Sequence, residues 1–404
     1  MQQVLSNFLI NSMKQKRFVA YFSHTQIIGF TKDGVLLPLY LAKLLDMSGT
    51  FYYGYNIGEL PVPNEHRGMK FIQLHSKVPT AFQQFFDMIH HIVLPARSIG
   101  SIFLIHKSRQ VMLITILYKL LNPKGKVVVM SDLNSQDAIN SKENEFIYSH
   151  HWLKKKIDIL FRNQFFKKCD VFSVANQYAY ETCIPLFKKN GWKCLVHCYP
   201  GIDDELFHNL SLKEIPYNKK ENIILYVGRI GNYEKNTDMI LDAAKITDLK
   251  DWKIVLVGPM TDSFITKGTS KYAEYVKQYF KDNPSLKEKV IFIGPEYDPK
   301  RLFEYYVKSR VFLLTSRSEG FANVLSQAAA LGCYIVSTDV GGASIVSNNW
   351  QFGCKLPQED ALYLSKVLTD IIEEKQDIDP DKRLSFNELS YSNILSKKVL
   401  SKMM

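Results

Sequence analysis

The stretch Val311–Ala343, VFLLTSRSEGFANVLSQAAALGCYIVSTDVGGA, limits what this chain can fold into more than any other. Val311–Leu314 is a short apolar run of the kind that makes a buried parallel strand, and Thr315–Glu319 is a polar loop holding an acid. Gly320 then opens a helix whose apolar positions Val324, Leu325, Ala328, Ala329 and Leu331 keep helical spacing, with Gly332 as its stop. The spacing predicts a further strand over Tyr334–Ser337, and Gly341-Gly342 after it lets backbone approach a ligand closely. The first N–H groups of such a helix, near Phe321–Leu325, point unpaired into the loop. They carry roughly half a positive charge and suit a phosphate. Glu319 stands just outside that end, where an acid is placed to accept hydrogen bonds from hydroxyls attached beyond the phosphate.

A chain of 404 residues exceeds what one core usually holds, so two domains of roughly 200 residues each are expected. Its apolar content of 46% supports globular folding, and no apolar run reaches the ~18 residues that span a bilayer. Met1–Arg17 is too polar for a secretory leader, which leads us to expect a cytoplasmic protein. The six cysteines form no CxxC pair and no Cys/His spacing that would indicate zinc or a disulfide framework. A net charge of +11 favours an anionic partner: nucleotide diphosphates, an anionic membrane or nucleic acid. With no RNA-binding aromatic motif and no recognition-helix motif, nucleic acid is the reading set aside.

Arg17–Phe22 is the first strand, after helical spacing over Gln2–Lys16, and the loop that follows leads to a helix over Val35–Leu45. Gly34 is where a diphosphate could meet backbone in such a unit, although a plain strand–helix connection fits as well. Phe51–Tyr55, Met69–Gln73, Ile99–Ile105 and Lys126–Met130 are further strands, alternating with helices over Thr80–Ile92 and Gln110–Leu121. Such alternation argues for a parallel sheet covered by helices, with functional residues at the carboxyl ends of strands. His106 and Asp132 stand at two such ends. His151–Cys169 sets Leu153, Ile157, Leu160, Phe161 and Phe165 on one helical face beneath a rim of Lys and Arg. That face either packs on the sheet or lies in an anionic lipid interface.

Asp170–Ala175 and Lys193–Cys198 continue the strand series, and the polar run Asn209–Lys220 suits a linker. A second series begins with NIILYVG over Asn222–Gly228, followed by Arg229 and, a few residues on, Lys235. Phosphate oxygens can be neutralised by two such cations, Arg as a planar fork and Lys as a point charge. Trp252–Gly258 and Val290–Gly294 are strands that end in glycine. Trp350–Leu356 reads as an edge strand, Glu359–Glu374 as an amphipathic helix and Ser385–Met404 as helical with a basic end.

The combination of VGR, a following lysine and the later SEGF loop resembles the family-four retaining glycosyltransferases of the GT-B fold, also called glycosyl transferases group 1. The turn Pro200-Gly201-Ile202-Asp203 resembles that family's hinge. The resemblance implies an α/β fold of two facing Rossmann-like domains, parallel sheets covered by helices. Residues 1–203 would form an acceptor-side domain, rejoined by a last helix over 385–404, and residues 204–384 a domain for the nucleotide sugar. It further implies that Glu319 contacts the donor sugar, that Arg229 and Lys235 clamp its diphosphate, and that backbone at Gly320, Phe321, Asn323 and Val324 meets the phosphates. The family's second acid accepts from the ribose hydroxyls; here that position, eight after Glu319, is Gln327. Gln keeps one acceptor oxygen and adds two donors. Gly294 would border the nucleobase, and Asp132 falls near the place where relatives carry a histidine close to the sugar.

The implied reaction moves a sugar from a UDP- or GDP-linked donor to a hydroxyl of a glycan or lipid-linked acceptor, with retained anomeric configuration and no required metal or other cofactor. Bacterial surface polysaccharide or lipid-linked glycan assembly is the expected setting, in the cytoplasm or peripherally at the inner face of the cell membrane through 151–169. The competing expectation is a non-catalytic GT-B subunit that binds an acceptor or a partner enzyme, and Gln327 is the feature in its favour.

Overall fold

Phe18–Tyr21 is apolar without a break, and all four side chains are buried, as in a strand covered on both faces. The period of two then sorts them: Phe18 and Ala20 join one core, Val19 and Tyr21 another on the opposite face of the same sheet. A computed structural model describes residues 16–26, 30, 32–58, 60–106, 108–131, 133, 152–261 and 271–404, with backbone alone for 152–154. Asp132 and nearly all of the helix expected over Gln2–Lys16 lie outside the described residues.

The chain divides into two compact units, Met1–Pro200 with Tyr391–Met404, and Gly201–Ser390. The division thus differs from one drawn after Asp203 and before Ser385. Ile202 and Leu389 are fully buried in the second unit's core, and Ile202 bridges to Ser390 there. Asp203 accepts from the N–H of Leu206, capping the helix Asp204–Asn209 of that same unit. Nor is Asn209–Lys220 a linker: Leu210, Leu212, Ile215 and Tyr217 pack on the second core. Lys220 is buried, and its ammonium donates to the carbonyls of Tyr306, Val307 and Leu331.

In the first unit the described strands are β1 (Arg17–Thr25), β2 (Gly49–Asn56), β3 (Glu65–His66), β4 (Met69–Gln73), β5 (Ile99–Ile105), β6 (Lys126–Ser131), β7 (Val171–Val174) and β8 (Leu195–His197). They lie in the order β3-β4-β2-β1-β5-β6-β7-β8, and every pair is parallel except β3 with β4. One face carries the helix Asp33–Leu44 and the chain's end, where Tyr391 stacks on Tyr40. The helices Arg109–Leu121, Trp152–Lys168 and Gln177–Asn190 cover the other. The helix expected over Thr80–Ile92 is an α-helix over Ala81–Met88, started by a Thr80/Gln83 capping box, that widens to a π-turn over Ile89–Val93. The terminal helix starts at Tyr391 rather than Ser385.

The second unit contains β9 (Glu221–Val227), β10 (Lys253–Val257), β11 (Val290–Gly294), β12 (Ser309–Leu314), β13 (Tyr334–Thr338) and β14 (Gly353–Leu356). All are parallel, in the order β11-β10-β9-β12-β13-β14. The edge strand is shorter than Trp350–Leu356 because Asn348, Asn349 and Trp350 all take positive φ and form a turn. The parallel strands of each sheet reverse their order once, between β1 and β5 and between β9 and β12. Ligands of open α/β sheets bind outside the carboxyl ends of strands at such a reversal.

Candidate functional site

The reversal in the second unit places two loops side by side, Gly228–Asn236 after β9 and Thr315–Ala322 after β12. Thr315 ties them together, its hydroxyl donating to the carbonyls of Lys235 (3.2 Å) and Asn236 (2.9 Å). Asn236 takes a left-handed φ of 47°, which asparagine tolerates better than most residues. Arg317 adds a second tie. Its N–H donates to Glu234 O (2.7 Å), and its guanidinium bonds Tyr233 O and Glu359 while lying 4.2 Å over the Tyr233 ring. From the far side, the Thr338 hydroxyl donates to Ser316 O (2.7 Å). Apart from one 3-10 turn over Tyr233–Lys235, the chain after each strand is therefore fixed by hydrogen bonds between the loops, most of them made by side chains.

These ties present a compact charge pattern. Lys235 Nζ forms an ion pair with Glu319 Oε1, and the two side chains are only 17% and 12% exposed. Ser316 donates to the same carboxylate oxygen at 2.7 Å. Arg229 shares the loop with Lys235; it is half exposed and lies 3.3 Å from Glu234. Tyr226 is buried beneath them and donates to Arg229 O at 2.9 Å. Burial, and next the negative charge of Glu319, push its phenol well above the usual range, which keeps it a donor.

The Gly341-Gly342 turn closes the site from the β13 side. Both glycines take left-handed φ, 56° and 84°. A Cβ on Gly341 would stand 2.6 Å from Glu319 Cβ, and one on Gly342 would stand 2.0 Å from the Phe321 ring. Gly341 O accepts from Ala322 N–H (3.2 Å). Because that contact holds Ala322 extended, the helix begins at Asn323 and runs to Ala330, later than the start expected at Gly320. Its first N–H groups, those of Asn323 and Val324, have no intrahelical acceptor by geometry. Gln327 is partly exposed, one turn into the helix on the face of Asn323.

The other expected residues are elsewhere. Gly294 ends β11, with a φ of 83° and open space where a Cβ would be; its carbonyl accepts from Gly258 N–H. Three strand places separate it from β12. Gly34 belongs to the first unit and lies inside the first helical turn, not in a loop: its N–H donates to Asp33 Oδ1 (3.1 Å). An added Cβ there would make only ordinary contacts with Phe22 and Ile105. That unit's reversal point carries His24 and His106, whose rings lie 4.8 and 5.1 Å from Phe22. Burial, then His106, push the His24 imidazole below its ordinary range. Ser316, Arg317 and Glu359 escaped the sequence reading; the polar run TSRS beside Glu319 held the signal for the first two.

Residues 209–390 match the family described as "Glycosyl transferases group 1". The chain is 25% identical over 238 residues to the amylovoran biosynthesis glycosyltransferase AmsD of Erwinia amylovora, covering 58% of each chain. It is 26% identical over 213 residues to an N-acetylgalactosaminyltransferase of Campylobacter jejuni whose name specifies a diphospho-undecaprenol acceptor, covering 52% of each. The matches thus span little more than half the length of these relatives. Among solved structures, the lipopolysaccharide outer core galactosyltransferase WaaB in its apo form superimposes with a TM-score of 0.60 at 14% identity, over 95% of this chain and 99% of that one. Anabaena HepE in complex with UDP gives 0.54 at 15% identity, over 94% of each. These likenesses establish the fold.

Proposed function

Proceeding from a second unit that matches the glycosyl transferases group 1 family, in a chain of the GT-B fold, we propose that the protein transfers a sugar from a nucleotide sugar to an acceptor hydroxyl. One observation carries this reading: at the β9/β12 reversal two cations, one acid and a helix N-terminus converge on adjoining loops. A diphosphate needs the cations and the N–H groups; a sugar beyond it needs an acceptor of hydroxyl hydrogen bonds. Lys235 and Arg229 neutralise the charge that builds on the diphosphate as the glycosidic bond breaks, assisted by the N–H groups of Asn323 and Val324. Glu319, steadied by Ser316, accepts from the sugar hydroxyls and keeps Lys235 aimed at the phosphates. Gln327 offers its amide oxygen to the ribose, and Gly294 borders the base.

Departure and attack then take place on one face of the sugar, so the anomeric configuration is retained, and the leaving phosphate helps to take up the acceptor proton. The cations do the work that a divalent ion does in other transferases, so no metal is required. The relatives in amylovoran biosynthesis and on diphospho-undecaprenol support a glycan or lipid-linked acceptor in bacterial surface glycan assembly, at the inner face of the cell membrane.

The test is incubation of the full chain with a panel of UDP- and GDP-sugars, with and without chelator, scoring slow hydrolysis and the anomer released. Hydrolysis of one donor in chelator with retention is the expected result. No hydrolysis of any donor, joined to binding of a glycan acceptor, favours the non-catalytic subunit, the reading that Gln327 supports.

A further inference from the structure

The helix Trp152–Lys168 does not bury the face that its spacing marks out. Phe165 and Phe166 are buried, together with Asp158 and Arg162, while Ile157, Leu160 and Phe161 are 51%, 61% and 38% exposed. Two polar side chains take inward places, one in an ion pair and one over an aromatic ring. Asp158 receives both arms of Arg109 at 2.9 Å, and Arg162 lies 5.2 Å over the Trp192 ring. The three apolar side chains are left outside, next to Lys155 and Lys156.

A second apolar ridge stands across the head of the helix Arg109–Leu121. Val78, Phe82 and Phe86 are 70%, 71% and 51% exposed, with the two Phe rings 4.5 Å apart. Gln110 reaches this ridge by donating to Ala81 O (2.6 Å), as its neighbour Arg109 reaches Asp158. Both ridges lie where helices leave the carboxyl ends of strands, so they share one rim of the first unit. Within the helices Ala81–Met88, Arg109–Leu121 and Trp152–Lys168, basic residues outnumber acids. The three helices contain two acids, Asp87 and Asp158, and these are engaged by His75 (2.8 Å) and Arg109. Lys77 and Lys156 are exposed beside the ridges. Among the described residues, no helix is long and apolar enough to cross a membrane.

We propose that this rim docks the first unit on an anionic lipid bilayer, the six apolar side chains entering the interface and the lysines meeting the headgroups. Exposed aromatic and aliphatic side chains framed by lysines are what a helix lying in a lipid interface presents. A large protein partner would be expected to offer acids and hydrogen-bond donors; a bilayer offers negative charge above hydrocarbon. The proposal deepens the transfer reading on the acceptor side, since it would hold the enzyme where a lipid-linked acceptor emerges, yet it is measured without donor or acceptor, so either can fail alone.

The experiment is flotation of the full chain with phosphatidylcholine vesicles, with and without phosphatidylglycerol. Binding is expected on the anionic vesicles, falling as salt rises. Each of the pairs Phe82→Ser/Phe86→Ser and Leu160→Ser/Phe161→Ser should lower partitioning about tenfold or more. Lys155→Gln/Lys156→Gln should lower it roughly fivefold per lysine, on anionic vesicles alone. Circular dichroism and donor hydrolysis should be unchanged in all three, because none of these residues is in the core or the donor site. Absence of binding to anionic vesicles overturns the proposal, as does binding that both apolar pairs leave intact. Loss in those pairs of a concentration-dependent dimer, with lipid binding unchanged, would assign the rim to a second copy of the chain instead.

Discussion

In both units the parallel strands reverse their order once, yet the two finish the reversal with different chemistry. At β9/β12 the second unit sets an ion pair, an arginine and two left-handed glycines, all on loops pinned by Thr315, Arg317 and Thr338. At β1/β5 the first unit sets His24 and His106 around Phe22, imidazoles packed among rings. A fixed cluster of charges suits a ligand of constant shape and charge such as a nucleotide diphosphate. The same topology therefore presents a charged, hydrogen-bonded site in one unit and a ring-lined one in the other.

The sharpest way to break this contrast is to remove the charges. On the proposed reading Lys235→Ala and Arg229→Ala should each lower transfer on the order of 10²- to 10³-fold, because each would take away a charge-assisted contact made most strongly as the diphosphate departs. The fold should survive, since both residues lie in a loop and bury little apolar surface. Turnover and thermal unfolding measured together decide it: near-normal turnover in both variants removes the diphosphate assignment. The Lys235 variant should show the larger defect, as Glu319 then loses its closest partner as well.

The charge pattern was legible before any coordinates because it is written in residue types at fixed spacing. VGR with Lys235, and Glu319 before Gly320, need only their order in the chain to be recognised. What pins them was not legible. Arg317 and Glu359 meet across a long stretch of sequence, and nothing in Asp-, Glu- or Arg-rich surface runs distinguishes a clip from a solvated charge. The start of the helix was misplaced for a related reason: local spacing favours Gly320, but the bond from Ala322 N–H to Gly341 O holds the chain extended until Asn323. In the first unit the parallel sheet is legible in apolar runs, whereas the periodicity over His151–Cys169 leaves open whether the apolar face packs on the sheet or turns outward. Periodicity shows that a face exists and cannot show that Asp158 and Arg162 will compete for the inside.

A second test asks how closely the Gly341-Gly342 turn must pack on Phe321. Gly342→Ala adds a methyl 2.0 Å from the Phe321 ring at a left-handed φ of 84°. It should cost about 1–3 kcal/mol of stability and weaken nucleotide binding. In the double variant with Phe321→Ala the clash is gone and only the backbone strain remains. Recovery of part of the stability, read from denaturant midpoints as a double-mutant cycle, is the expected outcome. Equal loss in both would mean that strain, not the glycine–phenyl packing, sets the requirement.

The first unit's imidazoles predict a different response, to pH rather than to shape. His197 donates to Ala175 O (3.1 Å) and stacks on Tyr180; burial, then Lys398, lower its pKa from 6.5 to about 4. Between these values the unfolded chain binds the proton that the folded chain refuses. Stability from this group is thus complete above pH 6.5 and is lost as pH falls towards 4. The side chain is partly exposed, so the loss should be on the order of 1–2 kcal/mol, below the full value of the shift. His197→Gln keeps a donor for Ala175 and should flatten this slope in urea melts across that window. An unchanged slope would place the proton uptake on another group.

The smallest effect is expected at Gln327, and it bears most directly on whether the charged site is a complete donor site. If the amide oxygen meets the ribose, Gln327→Glu supplies an acceptor for both hydroxyls, a gain opposed by an added negative charge near the diphosphate. The net change in affinity for the free nucleoside diphosphate should lie within about 1.5 kcal/mol, while Gln327→Ala should weaken it by a similar amount. On the proposed reading Glu319 accepts from the sugar, so Glu319→Gln should behave otherwise, losing turnover more than nucleotide affinity. Calorimetry with the nucleoside diphosphate, run beside turnover for all three variants, separates these outcomes. Affinity indifferent to both changes at position 327 would mean that the helix Asn323–Ala330 binds phosphate with its N–H groups but reads no ribose. The second unit would then hold a diphosphate clamp without a nucleoside site, and the non-catalytic reading would become the better one.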